Sequence, residues 1–168
     1  MAASAISEAI RVPTPADYLE AARTEKNGSA LHRLARRPYP FVWHALAANL
    51  HTPSAVLLEL STARDSAWND NMLLRLLAEH PGADRVVLRA VLDAVAARLD
   101  EGERPYAAAL ALADRPEAEA DEVRRLGTLR GASARLRTGL ALCLSARVRV
   151  SEPPGTSPRC HPVPGRGR

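Results

Sequence analysis

Short helices with marked beginnings and ends recur along this chain. Thr14-Pro15 and Thr52-Pro53 can each begin a helix, because a threonine hydroxyl can accept a backbone N–H and proline suits the first helical turn. Asp84 offers a cap of the same kind before the next segment. Prolines 38, 40, 81, 105 and 116 mark the places where helices should end. Helices of only ~8–12 residues are marginal alone in water, so each helix must pack on its neighbours.

The apolar residues of the chain follow helical spacing. The longest stripe, at i, i+3, i+4, i+7 and i+11, is formed by Leu88, Val91, Leu92, Val95 and Leu99. Aromatic residues are only 4% of the 168 residues, and most of the apolar content is alanine, leucine and valine. Alanine and leucine favour helices, whereas the β-branched and aromatic residues that strands prefer are few. The sequence therefore predicts an all-α protein of one domain.

A helix–turn–helix unit repeats along the chain. The segment Val42–Leu60 aligns without a gap on Met72–Ala90 at an offset of 30 residues. This alignment pairs Leu46 with Leu76, Ala48 with Ala78, Val56 with Val86 and Leu58 with Leu88. Less similar copies are Tyr18–Leu34 and Ala109–Leu126. Self-similarity at a period of about 30 residues is typical of stacked helical repeats.

The second unit also carries the motif of a known repeat. The motif residues are Ala48, Asn49, Thr52, Pro53, Val56, Leu57 and Leu60, with Leu34 and Ala35 closing the preceding helix. In this pattern the chain resembles the leucine-rich repeat variant family, a bacterial relative in architecture of the HEAT-type helical repeats. Two departures are Leu50, where the family has proline after asparagine, and the lack of Thr-Pro after His80-Pro81. The resemblance covers residues 15–126.

This resemblance implies a short right-handed α-solenoid of stacked helix pairs, some of them 3₁₀ helices. Some members of the family hold an iron–sulfur centre in an N-terminal cysteine cluster. No cysteine precedes Cys143 here, so we do not carry that cofactor over. The expected concave surface of such a stack suits another protein.

The chain divides into three parts. Residues 1–14 form a lead-in, and residues 15–146 form the helical repeat domain, with the clearest repeats at 18–126. The last predicted helix contains Leu129, Leu136, Leu140 and Leu144 despite two helix-weakening glycines, Gly131 and Gly139. Residues 147–168 form a basic tail rich in proline and glycine, which cannot bury enough apolar surface and should be disordered.

Charge is distributed unevenly between these parts. Residues 1–122 hold 13 Lys+Arg and 18 Asp+Glu, a net of −5, whereas residues 123–168 hold 10 Arg and one acid, a net of +9. A basic arm can bind nucleic acid, although a solvated tail explains the same composition. The sequence shows no signal peptide and no apolar run of about 18 residues that would span a membrane. We therefore expect a cytoplasmic protein.

Residues with catalytic or metal-binding chemistry are present, but not in a useful spacing. Four of the five histidines, His32, His44, His51 and His80, form no HExxH motif, and we expect His51 and His80 at helix ends, where partial positive charge is favourable. Cys143 and Cys160 fit no CxxC motif, and no GxSxG or GxxxxGK[ST] occurs. We therefore predict no catalytic, cofactor or metal site, and a protein that is not an enzyme.

The predicted function is a non-catalytic scaffold for protein–protein interaction. The proposed partner contacts are Arg36, Arg37, Tyr39 and Trp68, because an exposed aromatic in a polar stretch is a plausible anchor. One alternative is a nucleic-acid-associated protein that uses the arginine-rich C-terminal region. A weaker one is a HEAT-like DNA-repair glycosylase that uses Trp43, Trp68 and Asp70, although the net acidic charge of residues 1–122 opposes it.

Overall fold

The computed structural model describes residues 13–151. Within this range the chain forms nine α-helices and one 3₁₀ turn and has no strand, which confirms the all-α prediction. The helices are α1 (Pro15–Thr24), α2 (Gly28–Ala35), α3 (Pro40–Ala48), α4 (Ser54–Leu60), α5 (Ala67–Glu79), α6 (Arg85–Asp100), α7 (Tyr106–Asp114), α8 (Ala120–Arg125) and α9 (Ala134–Ser151), and the 3₁₀ turn is Leu126–Thr128. The predicted lead-in up to residue 12 and the tail from residue 152 lie outside the described residues.

Two of the three predicted helix caps are present. Thr14 and Asp17 form a capping box at α1, in which each side-chain oxygen accepts a backbone N–H of the other residue. Asp84 caps α6 by accepting from two backbone N–H groups at 3.0 Å. Thr52 does not cap α4: its side chain is buried, and its hydroxyl donates to the carbonyl of Leu46 at 2.7 Å. The threonine instead satisfies a carbonyl of α3.

The helices lie in two layers. In one layer α1, α3, α5, α7 and α9 contact one another in order, and in the other layer α2, α4 and α6 do the same. The helices of the first layer all begin at one edge of the layer and end at the opposite edge. Two sets of contacts show this, one between the starts of successive helices and one between their ends. At the starts, Tyr18 of α1 stacks with Tyr39 at the beginning of α3; at the ends, Asn49 after α3 bonds the end of α1.

The buried positions of the second and third units repeat at a spacing one residue longer than the 30 expected from sequence. Buried residues pair as Val42 with Leu73, Leu46 with Leu77, Ala47 with Ala78, Val56 with Val87, Leu57 with Leu88 and Leu60 with Val91. At an offset of 30, Val56 would instead align with Val86, whose side chain is 62% exposed. The sequence alignment is therefore wrong by one residue. Both offsets pair identical residues, so sequence identity alone could not distinguish between them.

Polar side chains join the ends of the first-layer helices. We call Asn49, His80, Arg115 and Arg147 the corner ladder. The last carbonyls of a helix have no partner within the helix. The amide nitrogen of Asn49 donates to the carbonyls of Ala22 and Glu25 at 2.9 and 2.8 Å, which satisfies the end of α1.

His80 forms the next rung, and its hydrogen bonds define its tautomer. Nδ1 accepts the backbone N–H of Gly82 at 2.9 Å, so Nε2 carries the proton and donates to the carbonyl of Asn49 at 3.0 Å. The histidine is the C-cap of α5, as predicted for a helix end. His51, by contrast, lies two residues beyond the C-cap of α3 and is exposed.

Arginines form the last two rungs. The guanidinium of Arg115 donates to the carbonyls of Ala78, His80 and Ala83 at 3.2, 2.8 and 3.1 Å. The guanidinium of Arg147 donates to three carbonyls at the end of α7 and in the turn that follows it, those of Ala113, Pro116 and Ala118. Residues 147–151 continue α9 beyond the predicted boundary at residue 146, and Arg147 bonds to the preceding helices and turns.

The two glycines near the last helix permit close packing. A Cβ on Gly139 would come within 2.8 Å of a Leu110 methyl group, so this glycine lets α9 approach α7. A Cβ on Gly131 would lie 2.3 Å from the backbone carbonyl oxygen of Leu99, so the two atoms would overlap. The carbonyl of Gly131 also accepts the hydroxyl of Tyr106 at 3.0 Å. Gly131 thus holds the segment before α9 against the end of α6.

Replacing Gly131 with alanine should destabilise the fold. Because the new methyl group would overlap backbone rather than a flexible side chain, we expect a loss of about 2–3 kcal/mol in the free energy of unfolding, measured by urea denaturation. Gly127→Ala is the matched control, since its Cβ would meet only Arg137 Cγ, at 3.4 Å, and Leu140 Cδ1. Equal stabilities of the two variants would contradict this account of Gly131.

Candidate functional site

Aromatic rings line the edge at which the first-layer helices begin. We call Tyr18, Tyr39, Phe41, His44 and Trp68 the aromatic edge. The ring of Tyr39 stacks between Tyr18 and Phe41, with centroids 6.0 and 5.3 Å apart. His44 lies one turn after Phe41 on α3, and its ring meets Trp68 edge-on at 6.4 Å. The edge therefore runs without interruption from α1 across α3 to α5.

Trp68 is the most exposed aromatic side chain of this edge. It is the second residue of α5, which begins after the N-cap Ser66. Its side chain is 70% exposed, and Phe41 is 39% exposed. His44 lies behind the tryptophan, where its Nε2 donates to the carbonyl of Asn69 at 2.9 Å. Exposed and half-buried aromatic rings grouped on one edge are typical of interaction surfaces.

Three of the four predicted contact residues lie on this edge. The guanidinium carbon of Arg37 is 4.8 Å from the centroid of the Tyr18 ring, a cation–π arrangement. Tyr39 and Trp68 belong to the edge itself. Arg36 does not join them, because its guanidinium is directed toward Glu59 of α4, with an N–O distance of 4.0 Å.

Sequence reasoning did not assign Tyr18, Phe41 and His44 to this surface. Phe41 and His44 are three residues apart, a spacing that places both on one helix face, so this part could have been recognised. Tyr18 could not, because it meets Tyr39 only through the packing of α1 against α3.

The residues considered for a glycosylase do not share an open surface. The indole N–H of Trp43 donates to the carbonyls of Ala35 and Arg37 at 3.1 and 2.8 Å, and the ring packs against the core. Asp70 is only 4% exposed, and its Oδ2 lies 2.8 Å from a guanidinium nitrogen of Arg98. Of the three residues only Trp68 is available to a ligand.

The remaining reactive side chains are dispersed. His32 pairs with Glu59 at 2.8 Å, and His80 is buried in the corner ladder. In the part of the chain that the structure describes, no three His, Cys, Asp or Glu side chains are placed to hold a metal ion. Burial, together with a hydrogen bond to Asp114, raises the pKa of the Cys143 thiol, so this group is protonated at neutral pH and a poor nucleophile.

Comparison with known proteins adds no relative. No family model, no curated protein and no solved structure matches the chain. The resemblance of residues 15–126 to the leucine-rich repeat variant family thus remains a prediction. Between residues 13 and 151, no helix is long and apolar enough to cross a membrane.

Proposed function

We propose that this protein is a short, right-handed α-solenoid that binds another protein through the aromatic edge. The two layers of helices in chain order and the corner ladder that links successive units support the solenoid, because each unit contacts mainly its neighbours. The protein acts as a scaffold and not as a catalyst.

The exposure of Trp68 is the observation that carries this proposal. Trp68 is 70% exposed, so it contributes little to the packing of the core and exposes apolar surface to solvent. Tryptophan, tyrosine and arginine are the residues that most often dominate binding energy in protein interfaces. Trp68, Tyr39 and Arg37 place all three types on one edge.

Site-specific photo-crosslinking would test the proposal. With a benzophenone amino acid in place of Trp68, we expect a discrete adduct with one protein in lysate of the source organism. The control places the same group at Val86, which is 62% exposed on α6 of the other layer. The same adducts at both positions, or none at position 68, would overturn the proposal.

Replacing Trp68 with alanine should weaken binding of the captured partner without unfolding the protein. We expect about tenfold to a hundredfold weaker affinity, the usual range for an aromatic hot spot. The free energy of unfolding should change by less than about 0.5 kcal/mol, because the side chain is largely exposed. Isothermal titration calorimetry and urea denaturation measure the two quantities, and Val86→Ala is the control.

Nucleic-acid binding through the C-terminal arginines is the second candidate, and internal contacts already occupy three of these arginines. Arg124 and Arg125 pair with Asp121 and Glu122, and the guanidinium of Arg147 is bonded to carbonyls of the fold. A chain ending at residue 151 is the appropriate truncation, since an end at residue 146 would remove Arg147 and part of α9. If nucleic acid binds the full chain and not this truncation, the second candidate is correct.

A further inference from the structure

A basic cleft lies at the same edge of the first layer, where α7 and α9 begin. Its volume is about 810 Å³. Three arginines line it: Arg104 before α7, Arg130 before α9, and Arg135 as the second residue of α9. All three side chains are exposed. We call this the arginine cleft.

The arginines of the cleft have no acidic partner. Among the described residues, no carboxylate lies within ion-pair distance of any of the three, and none lines the cleft. Two acidic residues close to Arg104 in sequence already have other partners: Glu101 pairs with Arg64 at 3.2 Å, and Glu103 lies 3.6 Å from Arg98. Some exposed arginines elsewhere on the surface, such as Arg85, do have an acidic partner. The cleft therefore keeps a concentrated positive charge that the fold itself does not neutralise.

The floor of the cleft is apolar and rigid. Tyr106, Leu110 and Leu136 contribute to its lining, and the hydroxyl of Tyr106 is held by the carbonyl of Gly131. Because Gly131 packs directly against the backbone of Leu99, the segment that carries Arg130 has little freedom to move. A site with fixed cations around an apolar floor suits a ligand that has both carboxylates and apolar side chains.

We propose that the arginine cleft binds an acidic peptide segment of the partner protein. This inference rests on the proposed protein-binding function and assigns the chemistry of the bound segment. Guanidinium groups form two parallel hydrogen bonds with a carboxylate, and leucine-type side chains of the segment would cover the half-buried Tyr106 and Leu110. The volume accommodates several residues of peptide, more than a single small anion needs. A phosphodiester backbone would leave the apolar floor uncovered.

Fluorescence polarisation with a defined probe tests this inference. The probe is a labelled ten-residue peptide in which pairs of glutamate alternate with leucine, measured against the full-length protein at low ionic strength. We expect saturable binding that Arg104→Ala, Arg130→Ala and Arg135→Ala together weaken about tenfold or more. The same peptide with glutamine in place of glutamate should not bind.

A matched triple variant controls for net charge. Arg75→Ala, Arg85→Ala and Arg124→Ala remove the same charge from exposed, ion-paired positions, and binding should stay within about twofold. Equal losses in both triple variants, or no binding of the acidic peptide, would overturn the inference. So would tighter binding of an oligothymidine of equal charge, which would identify the cleft as a phosphate site. None of these outcomes bears on the crosslink at position 68, so the two proposals fail separately.

Discussion

Replacing Arg98 with methionine should lower the free energy of unfolding by about 3–5 kcal/mol, the usual effect of removing one partner of a buried ion pair. The side chain of Arg98 is 4% exposed and that of Asp70 is 5% exposed, and their closest N–O distance is 2.8 Å. Glu103 lies on the other side of the guanidinium at 3.6 Å. Without the arginine, the buried Asp70 carboxylate and the partly exposed Glu103 carboxylate would both lose their cationic partner.

The expected loss corresponds to roughly 10 °C in melting temperature for a domain of this size, so calorimetry or urea denaturation would detect it readily. Arg89→Met is the control on the same helix: Arg89 is exposed and ion-paired, and its loss should cost less than about 1 kcal/mol. Adding Asp70→Asn to Arg98→Met should restore part of the stability, because asparagine carries no charge that needs the arginine. Asparagine also keeps an oxygen that can accept the Asp65 N–H. If Arg98→Met and Arg89→Met are equally stable, Arg98 does not hold this part of the fold.

Replacing Arg115 with methionine should cost about 3 kcal/mol, because three carbonyls at the end of α5 and in the following turn would lose their donors. The arginine side chain is 16% exposed, so water could replace those donors only in part. Arg115→Lys should recover a minor share, since an ammonium group cannot reach three separated oxygens as a planar guanidinium does.

Hydrogen exchange would show whether Arg115 acts as a link between units. Opening of the backbone near Ala83 should become easier in Arg115→Met than in the wild type, while α1 and α2 should be little affected, because each unit contacts mainly its neighbours. Arg85→Met is the control, since this arginine is exposed and close in sequence. A uniform change along the whole chain would indicate global destabilisation and contradict a local role.

The aromatic edge was only partly predictable. Trp68 could be selected because it is an aromatic residue among polar ones, and Tyr39 because it lies close to Arg36 and Arg37, which are local properties of the sequence. Their arrangement could not, since His44 and Trp68 touch only because α3 packs against α5. The arginine cleft is a stronger example: Arg104 and Arg130 are separated by two helices in sequence and meet at one edge because α7 and α9 begin there. Net charge alone had pointed to the C-terminal tail.

The sequence by itself determined the all-α class, the short helices, the caps at Thr14 and Asp84, and the buried stripe of α6, because these depend on interactions within a few residues of the chain. Only the tertiary structure decided the repeat register, the end of α9 and the burial of Asp70 with Arg98. The corner ladder explains why: its donors and acceptors are 24 to 37 residues apart. Such contacts depend on how whole helices pack, and a pattern of neighbouring residues does not predict that packing.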